Sequence, residues 1–200
     1  MRVLTSTFLI FATSGIAGLA NEERRVLRSF VDIGQHKAAV EYGLSKFNNN
    51  SKDPDFLFLM ARSYQELKLN QEALQFYSES IALNRNNYKA YINRGLTFGA
   101  LSNLRASTED LKKALALNPN SKEAHLNLGF TQAAQNDTKK AIASFTKALS
   151  IDPSFTEALR NRGITYHHLG KKKKACEDWI NSAKIKKDDV EIWINQHCDS

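Results

Sequence analysis

The chain has 200 residues, of which 42% are hydrophobic and 24% are charged, with only 3 Pro and 9 Gly. This composition can bury a core, which excludes a disordered or low-complexity protein. Two cysteines are too few for a four-cysteine zinc site or a scaffold held by several disulfides. The net charge of +7 makes the binding of a polyanion one function to consider.

The N-terminal segment differs from the rest of the chain. Residues 3–20 carry no charge and contain a short apolar centre, with small residues at Gly18 and Ala20. This pattern predicts a signal peptide over residues 1–20 that directs export to the periplasm, a secretory lumen or the extracellular space. The alternative is an uncleaved membrane anchor over residues 3–20, although a membrane span needs about 20 apolar residues.

Beyond residue 53 the sequence repeats every 34 residues without gaps, over segments 54–87, 88–121, 122–155 and 156–189. One column of the aligned segments holds small residues and another holds large apolar ones. The small residues are Ala61, Gly95, Gly129 and Gly163, and the large ones are Tyr77, Leu111, Phe145 and Trp179. Because a small residue lets two helix axes approach to about 8–10 Å, each segment is predicted to be a pair of packed helices.

The inter-helix turn is marked by its own column. Gly34, Asn136 and Gly170 occupy that column, and a residue with positive φ is the usual end of a helix at such a point. Residues 21–53 fit the same register and are predicted to be a degenerate N-terminal repeat.

The C-terminal residues 190–200 are predicted to form a capping helix. Ile192, Trp193 and Gln196 lie on its amphipathic face. The last repeat of a stack otherwise exposes its apolar side to water, so a closing helix is expected there.

Two of the four repeats carry a matched pair of opposite charges. Arg94 and Arg162 occupy one column, and Asp110 and Asp178 occupy a second column of the same two repeats. The other repeats carry uncharged residues at these positions, Met60 with Phe76 and Leu128 with Ser144. The covariation predicts structural salt bridges Arg94–Asp110 and Arg162–Asp178.

The columns resemble the tetratricopeptide repeat family. The motif is carried by Tyr91–Gly95 followed by Ala114–Pro119, and by His125–Gly129 with the apolar residues after it. The resemblance covers residues 54–189. It implies an all-α fold in which helix-turn-helix repeats stack into a right-handed superhelix, an α-solenoid with a concave face.

The same resemblance implies a non-catalytic scaffold that binds an extended or helical peptide segment of a partner protein in its concave groove. First helices of successive repeats line that groove. The corresponding residues are Phe58, Arg62, Ile92, Asn93, Leu96, Leu126, Asn127, Phe130, Arg160, Asn161 and Ile164. The alternative for the apolar members is that they pack against neighbouring repeats.

The two cysteines are predicted to pair. Cys176 lies early in the second helix of the last repeat, and Cys198 lies at the end of the capping helix. If these helices are antiparallel neighbours, their sulfurs approach one another, and an oxidising compartment favours a disulfide. The alternative is two free, buried thiols, which is the expectation if the protein stays in the cytosol.

No residue pattern indicates catalysis, a cofactor or a metal. The five histidines lack metal-ligand spacing, and no nucleophile motif or glycine-rich phosphate loop is present in the sequence. The basic run Lys171–Lys174 offers an alternative function, the binding of nucleic acid or anionic lipid, but no aromatic residues interleave with it. Asn49 and Asn136 begin glycosylation sequons, which matter only in a eukaryotic secretory pathway.

Overall fold

The computed structural model describes residues 21–50, 52–186 and 190–198, and all regular structure in these ranges is α-helix. The all-α fold class is therefore confirmed for the described residues, while the predicted signal segment lies outside them. In chain order the helices are α1 over residues 21–32, α2 His36–Asn50, α3 Pro54–Glu66, α4 Asn70–Leu83, α5 Tyr88–Ala100, α6 Leu104–Leu117, α7 Lys122–Ala134, α8 Thr138–Ile151, α9 Thr156–His168, α10 Lys172–Ile185 and α11 Val190–His197. None of the described helices has the length and apolar character needed to cross a bilayer.

The chain divides into two compact units, Met1–Asn86 and Asn87–Ser200. In the first unit α3 packs against α2 and α4, and the fully buried Leu27, Phe56 and Tyr77 belong to its core. In the second unit the helices pack in chain order. The pairs α5–α6, α7–α8 and α9–α10 are each in contact, and α6, α8 and α10 each contact the helix that follows.

Each helix pair turns at a residue with positive φ. These residues are Gly34, Lys68, Ser102, Asn136 and Gly170, one every 34 residues. Lys68 and Ser102 adopt φ values of 61° and 60°, although the left-handed region costs a non-glycine residue about 1 kcal/mol or more. Packing of the two helices therefore imposes the turn even where the residue does not favour it.

Side-chain caps set the first residue of several helices. Asp53, Asn87, Asn103, Ser121 and Asp137 each accept a hydrogen bond from a backbone N–H in the first turn of α3, α5, α6, α7 and α8 respectively. Such a cap contributes about 1 kcal/mol because it satisfies a donor that has no partner within the helix.

The small-residue column lies where an aromatic ring crosses a glycine. A Cβ placed on Gly129 would lie 2.5 Å from Cε1 of Phe145. A Cβ placed on Gly163 would lie 2.5 Å from Nε1 of Trp179. Both rings are almost fully buried, so glycine is required for these two helix crossings to be this close.

The capping helix α11 is present and packs against the last repeat. Val190 is 1% exposed, and Trp193 packs edge-on against Trp179 with ring centroids 5.3 Å apart. Of the three residues assigned to its amphipathic face, Ile192 and Gln196 are exposed and Trp193 is 36% exposed. Ile194, four residues after Val190, lies on the same helix face and packs against the core cluster, and this register leaves Ile192 and Gln196 on the solvent side.

Candidate functional site

The first helices of the pairs in the second unit, α5, α7 and α9, lie side by side, because α7 contacts both of the others. We call their shared surface the α5–α7–α9 face. Asn93, Asn127 and Asn161 occupy the same position on the three helices, and all three are half-buried. A side-chain amide can both donate and accept hydrogen bonds. On Asn161 the Nδ2 group donates to the Glu157 carbonyl oxygen at 2.6 Å, which leaves Oδ1 as an acceptor.

A cavity of about 480 Å³ opens on this face between α7 and α9. Three predicted groove residues line it together, Phe130, Asn161 and Ile164. The Phe130 ring is 42% exposed and packs edge-on against Phe145, with ring centroids 5.7 Å apart. The cavity therefore combines an exposed aromatic surface with an amide at its edge.

Sequence reasoning missed the polar residues of the cavity. They are Asn136, Thr138, Thr165 and His168. The sequence singled out Asn136 as a turn residue and as the start of a glycosylation sequon, and its place in the turn column indicates that it lies between α7 and α8. His168 is the last residue of α9, and it lines the same cavity as Asn136, which follows the end of α7.

Two predicted groove residues are interior rather than exposed. Ile92 is 7% exposed and Leu126 is 9% exposed, and Leu126 belongs to the core cluster that contains Phe145. Their side chains therefore pack between helices, which was the alternative for the apolar members. Leu96 remains exposed on α5.

The remaining groove residues lie on α3 of the first unit and on α9 of the second. Phe58 and Arg62 are half-buried on α3 of the first unit, where the Phe58 ring lies 5.9 Å from that of Tyr77. Arg160 is half-buried on α9 of the second unit, and its carbonyl oxygen accepts a hydrogen bond from Nε1 of Trp179 at 3.3 Å.

Both predicted ion pairs have two-point geometry. Arg94 donates from Nε and Nη2 to the carboxylate of Asp110 at 2.7 and 2.9 Å. Arg162 donates in the same way to Asp178 at 2.8 and 2.7 Å. The hydrogen bonds to the carboxylates raise the pKa of both guanidinium groups, against the opposing effect of burial. Each pair joins the first helix of a repeat to the second, which is a structural role.

A further ion pair links the two ends of the α7–α8 pair. Lys122 Nζ lies 2.5 Å from Asp152 Oδ2 and 4.7 Å from the centre of the Phe155 ring. The hydrogen bond from Lys122, aided by two from Ser154, lowers the pKa of Asp152 from 3.8 to about 2.

This shift predicts an acid-dependent loss of stability. Because the folded-state pKa of Asp152 is depressed, its contribution is fully present above about pH 4 and is lost as the pH falls through about 2. A carbon-detected NMR titration of the Asp152 carboxyl group is expected to show a midpoint near pH 2, and Lys122→Met is expected to move that midpoint towards 3.8. Lys139→Met, an exposed lysine in the same repeat, serves as the control. A wild-type midpoint near 3.8 would contradict the pairing.

The C-terminal end of the second unit contains the cysteines and the basic run. A disulfide joins Cys176 to Cys198, whose Cα atoms are 5.6 Å apart. Lys171–Lys174 occupies the exposed turn and first turn of α10. In the described part of the chain, no cluster of three or more His, Cys, Asp or Glu side chains has the geometry of a metal site.

Comparison with known proteins decides the family. Models of the tetratricopeptide repeat match residues 54–87, 88–121, 123–155 and 144–177, which together exceed half of the chain. The chain belongs to the tetratricopeptide repeat family. The family resemblance predicted from the sequence is thus confirmed, and this fold is a protein–protein interaction scaffold.

Solved tetratricopeptide structures share the fold at low sequence identity. MamA from Desulfovibrio magneticus RS-1 (residues 41 to the end) is 19% identical, with a TM-score of 0.75, and covers 90% of this chain and 97% of its own. YrrB, described as a tetratricopeptide protein with an unusual peptide-binding site, is 18% identical, with a TM-score of 0.70 and coverages of 87% and 90%. PilF of Pseudomonas aeruginosa is 14% identical, with a TM-score of 0.80 and coverages of 91% and 85%. No curated protein sequence matches this chain.

Proposed function

We propose that this tetratricopeptide protein is a non-catalytic scaffold that binds a peptide segment of a partner protein on its α5–α7–α9 face, outside the cytoplasm. The observation that carries the proposal is the cavity between α7 and α9, where Phe130, Asn161 and Ile164 converge. YrrB, which has a similar fold, is itself described by its peptide-binding site, and this supports the same class of ligand here.

The cavity suits one large apolar side chain of the partner. Its volume of about 480 Å³ is ample for an aromatic or branched aliphatic group, and Phe130 and Ile164 supply the apolar contact. The amide of Asn161 lines the cavity, and Asn127 holds the equivalent position on α7; both amides can bind the donors and acceptors of a peptide backbone. A peptide with an apolar anchor between uncharged neighbours is therefore the ligand that fits best.

The polar groups around the cavity favour binding over chemistry. Thr165 donates its hydroxyl to the Asn161 carbonyl oxygen at 2.7 Å, so this hydroxyl is engaged within α9. Catalysis requires a nucleophile or proton acceptor placed against an activating partner. The cavity instead offers the amides of Asn136 and Asn161, the Thr138 hydroxyl, apolar surface and the exposed His168.

Export is proposed from two features of the chain. Residues 1–20 have the pattern of a signal peptide. The pairing of Cys176 with Cys198 in the structure is the chemistry that an oxidising compartment favours.

A double substitution on the face tests the function. Peptides selected from a random display library on the immobilised wild-type protein are expected to bind Asn127→Ala/Phe130→Ala at least about tenfold more weakly, because truncating interface anchors costs more than about 1 kcal/mol each. Binding is measured by isothermal titration calorimetry. The circular dichroism melting curve of the variant is measured in parallel to establish that it folds.

The matched control lies on the second helix of the same repeat. Lys147→Ala/Ser150→Ala changes two exposed residues of α8 and is expected to leave peptide affinity unchanged. Equal affinity of the folded Asn127→Ala/Phe130→Ala variant and the wild type would reject the face. Retention on heparin in 0.3 M salt, lost on neutralising Lys171–Lys174, would instead favour the polyanion alternative.

A further inference from the structure

A second cavity, of about 490 Å³, opens beside the disulfide at the C-terminal end of the second unit. Both cysteines line it, together with Lys172, Lys173 and Glu177. Cys176 and Cys198 are half-buried rather than interior. A small molecule in this cavity can therefore reach the sulfur–sulfur bond.

Two of the three charged residues that line this cavity are basic. Lys173 precedes Cys176 by three residues on α10, and Lys172 precedes it by four, so both lie on the helix face that carries Cys176. Glu177 is the one acidic residue among those that line the cavity. An anionic thiol is attracted to such a site, and a neighbouring ammonium group stabilises a cysteine thiolate.

The disulfide adds a covalent tether to a short helix that otherwise packs on α10 through side-chain contacts. The helix α11 has eight residues, and isolated helices shorter than about 12 residues are marginal in water. Its one fully buried residue is Val190. Its other contacts to the core include the Trp193 ring on Trp179 and the His197 ring 6.0 Å from Trp179. Cys198 directly follows this helix, so the bond to Cys176 fixes its end against α10.

We propose that the Cys176–Cys198 bond is a thiol-exchange site for anionic thiols, and that its reduction releases α11 from Trp179. The incoming thiolate attacks the sulfur of Cys198, the sulfur–sulfur bond breaks, and Cys176 leaves as a thiolate beside Lys173. A second thiolate attacks the incoming sulfur of the mixed disulfide, releasing Cys198. The two protein thiolates take up protons from water, and the two reductant thiols are oxidised to one disulfide.

Attack at Cys198 follows from the placement of the lysines. The better leaving thiolate departs faster in thiol–disulfide exchange, and Lys173 lies on the same helix face as Cys176. This exchange site is independent of peptide binding on the α5–α7–α9 face, so either can fail without the other.

The tryptophans provide a direct readout. The protein has only two, Trp179 and Trp193, and both lie in the α10–α11 contact. The oxidised full-length protein is treated with 2-mercaptoethanesulfonate or reduced glutathione as anionic thiols, and with cysteamine as the cationic thiol. Tryptophan emission and titrated protein thiols are followed together. Per thiolate, we expect the anionic thiols to react about tenfold faster at low salt, and the difference to collapse in 0.5 M NaCl.

Two variants test separately the effect of the lysine charge on the thiol preference and the effect of the disulfide on the position of α11. Lys173→Gln is expected to reduce the preference for anionic thiols at least about twofold, whereas Lys139→Gln, the same position in the preceding repeat, is expected to preserve it. Cys198→Ser is expected to show the emission maximum of the reduced wild type without any thiol added. Equal rate constants for anionic and cationic thiols would overturn the exchange site. An unchanged tryptophan spectrum after complete reduction would overturn the release of α11.

Discussion

Replacing Asp178 with alanine is expected to lower the free energy of unfolding by about 3 kcal/mol. The side chain of Asp178 is 6% exposed and that of Arg162 is 19% exposed, so the substitution leaves a largely buried guanidinium group without its carboxylate. The hydroxyl of Thr146, 3.0 Å from Nη1 of Arg162, remains as a partner but carries no charge. Urea denaturation followed by circular dichroism measures the change.

The chain contains its own control for this prediction. The preceding repeat holds Leu128 and Ser144 at the same two positions. The double variant Arg162→Leu/Asp178→Ser is therefore expected to recover stability to within about 1 kcal/mol of the wild type, since a buried ion pair is often replaceable by uncharged side chains. A loss below about 0.5 kcal/mol for Asp178→Ala would place the pair among the weak surface ion pairs.

Replacing Gly163 with alanine is expected to lower the free energy of unfolding by about 1–3 kcal/mol through overpacking. The added Cβ would lie 2.5 Å from Nε1 of Trp179 and 3.2 Å from the carbonyl oxygen of Ala175. Trp179 is fully buried and its Nε1 donates to the Arg160 carbonyl oxygen. The ring therefore cannot move away without losing that hydrogen bond and its packing.

Replacing a second glycine, Gly99, is expected to change the free energy of unfolding in the opposite direction. At Gly99 an added Cβ would meet its nearest atom, Oγ of Ser107, at 3.7 Å, which is an ordinary contact. Gly99→Ala is expected to stabilise the protein by about 0.5–1 kcal/mol, because alanine loses less backbone entropy in a helix. Thermal and urea denaturation of the two variants give the comparison. Stabilisation by Gly163→Ala as well would show that the crossing is looser than the structure has it.

The fold was predictable from sequence because the two helices of each repeat cross at the same pair of positions. A glycine opposite an aromatic ring, as at Gly129 and Phe145, leaves a signature in two columns that recur together. The turns were only partly predictable. Lys68 and Ser102 do not favour positive φ, and the packing of the helices on either side places them there.

The sequence predicted which helices form the α5–α7–α9 face, but not which of their side chains are exposed on it. Sequence position assigns Ile92 and Leu126 to the correct helices, yet both side chains are buried. Because a helix has 3.6 residues per turn, some positions lie at the boundary between its exposed face and its buried face. At these positions the packing of the neighbouring helices determines whether the side chain is buried. His168 lies at the polar edge of the cavity because α9 ends one repeat after α7, at the column that holds Ala134 in the preceding repeat. That column holds a small residue in α7 and α5, so the pattern of the repeat did not single out the histidine.

Site-specific photocrosslinking in the producing cell tests the peptide-binding face most directly. p-Benzoylphenylalanine is placed at Phe130 on the face and, as the control, at Lys147 on α8, and crosslinked peptides are identified by mass spectrometry. A discrete partner segment with an apolar anchor, captured from position 130 and not from position 147, is the predicted result. Capture of the same partner from position 147 alone, or equally from both, would contradict binding on the α5–α7–α9 face.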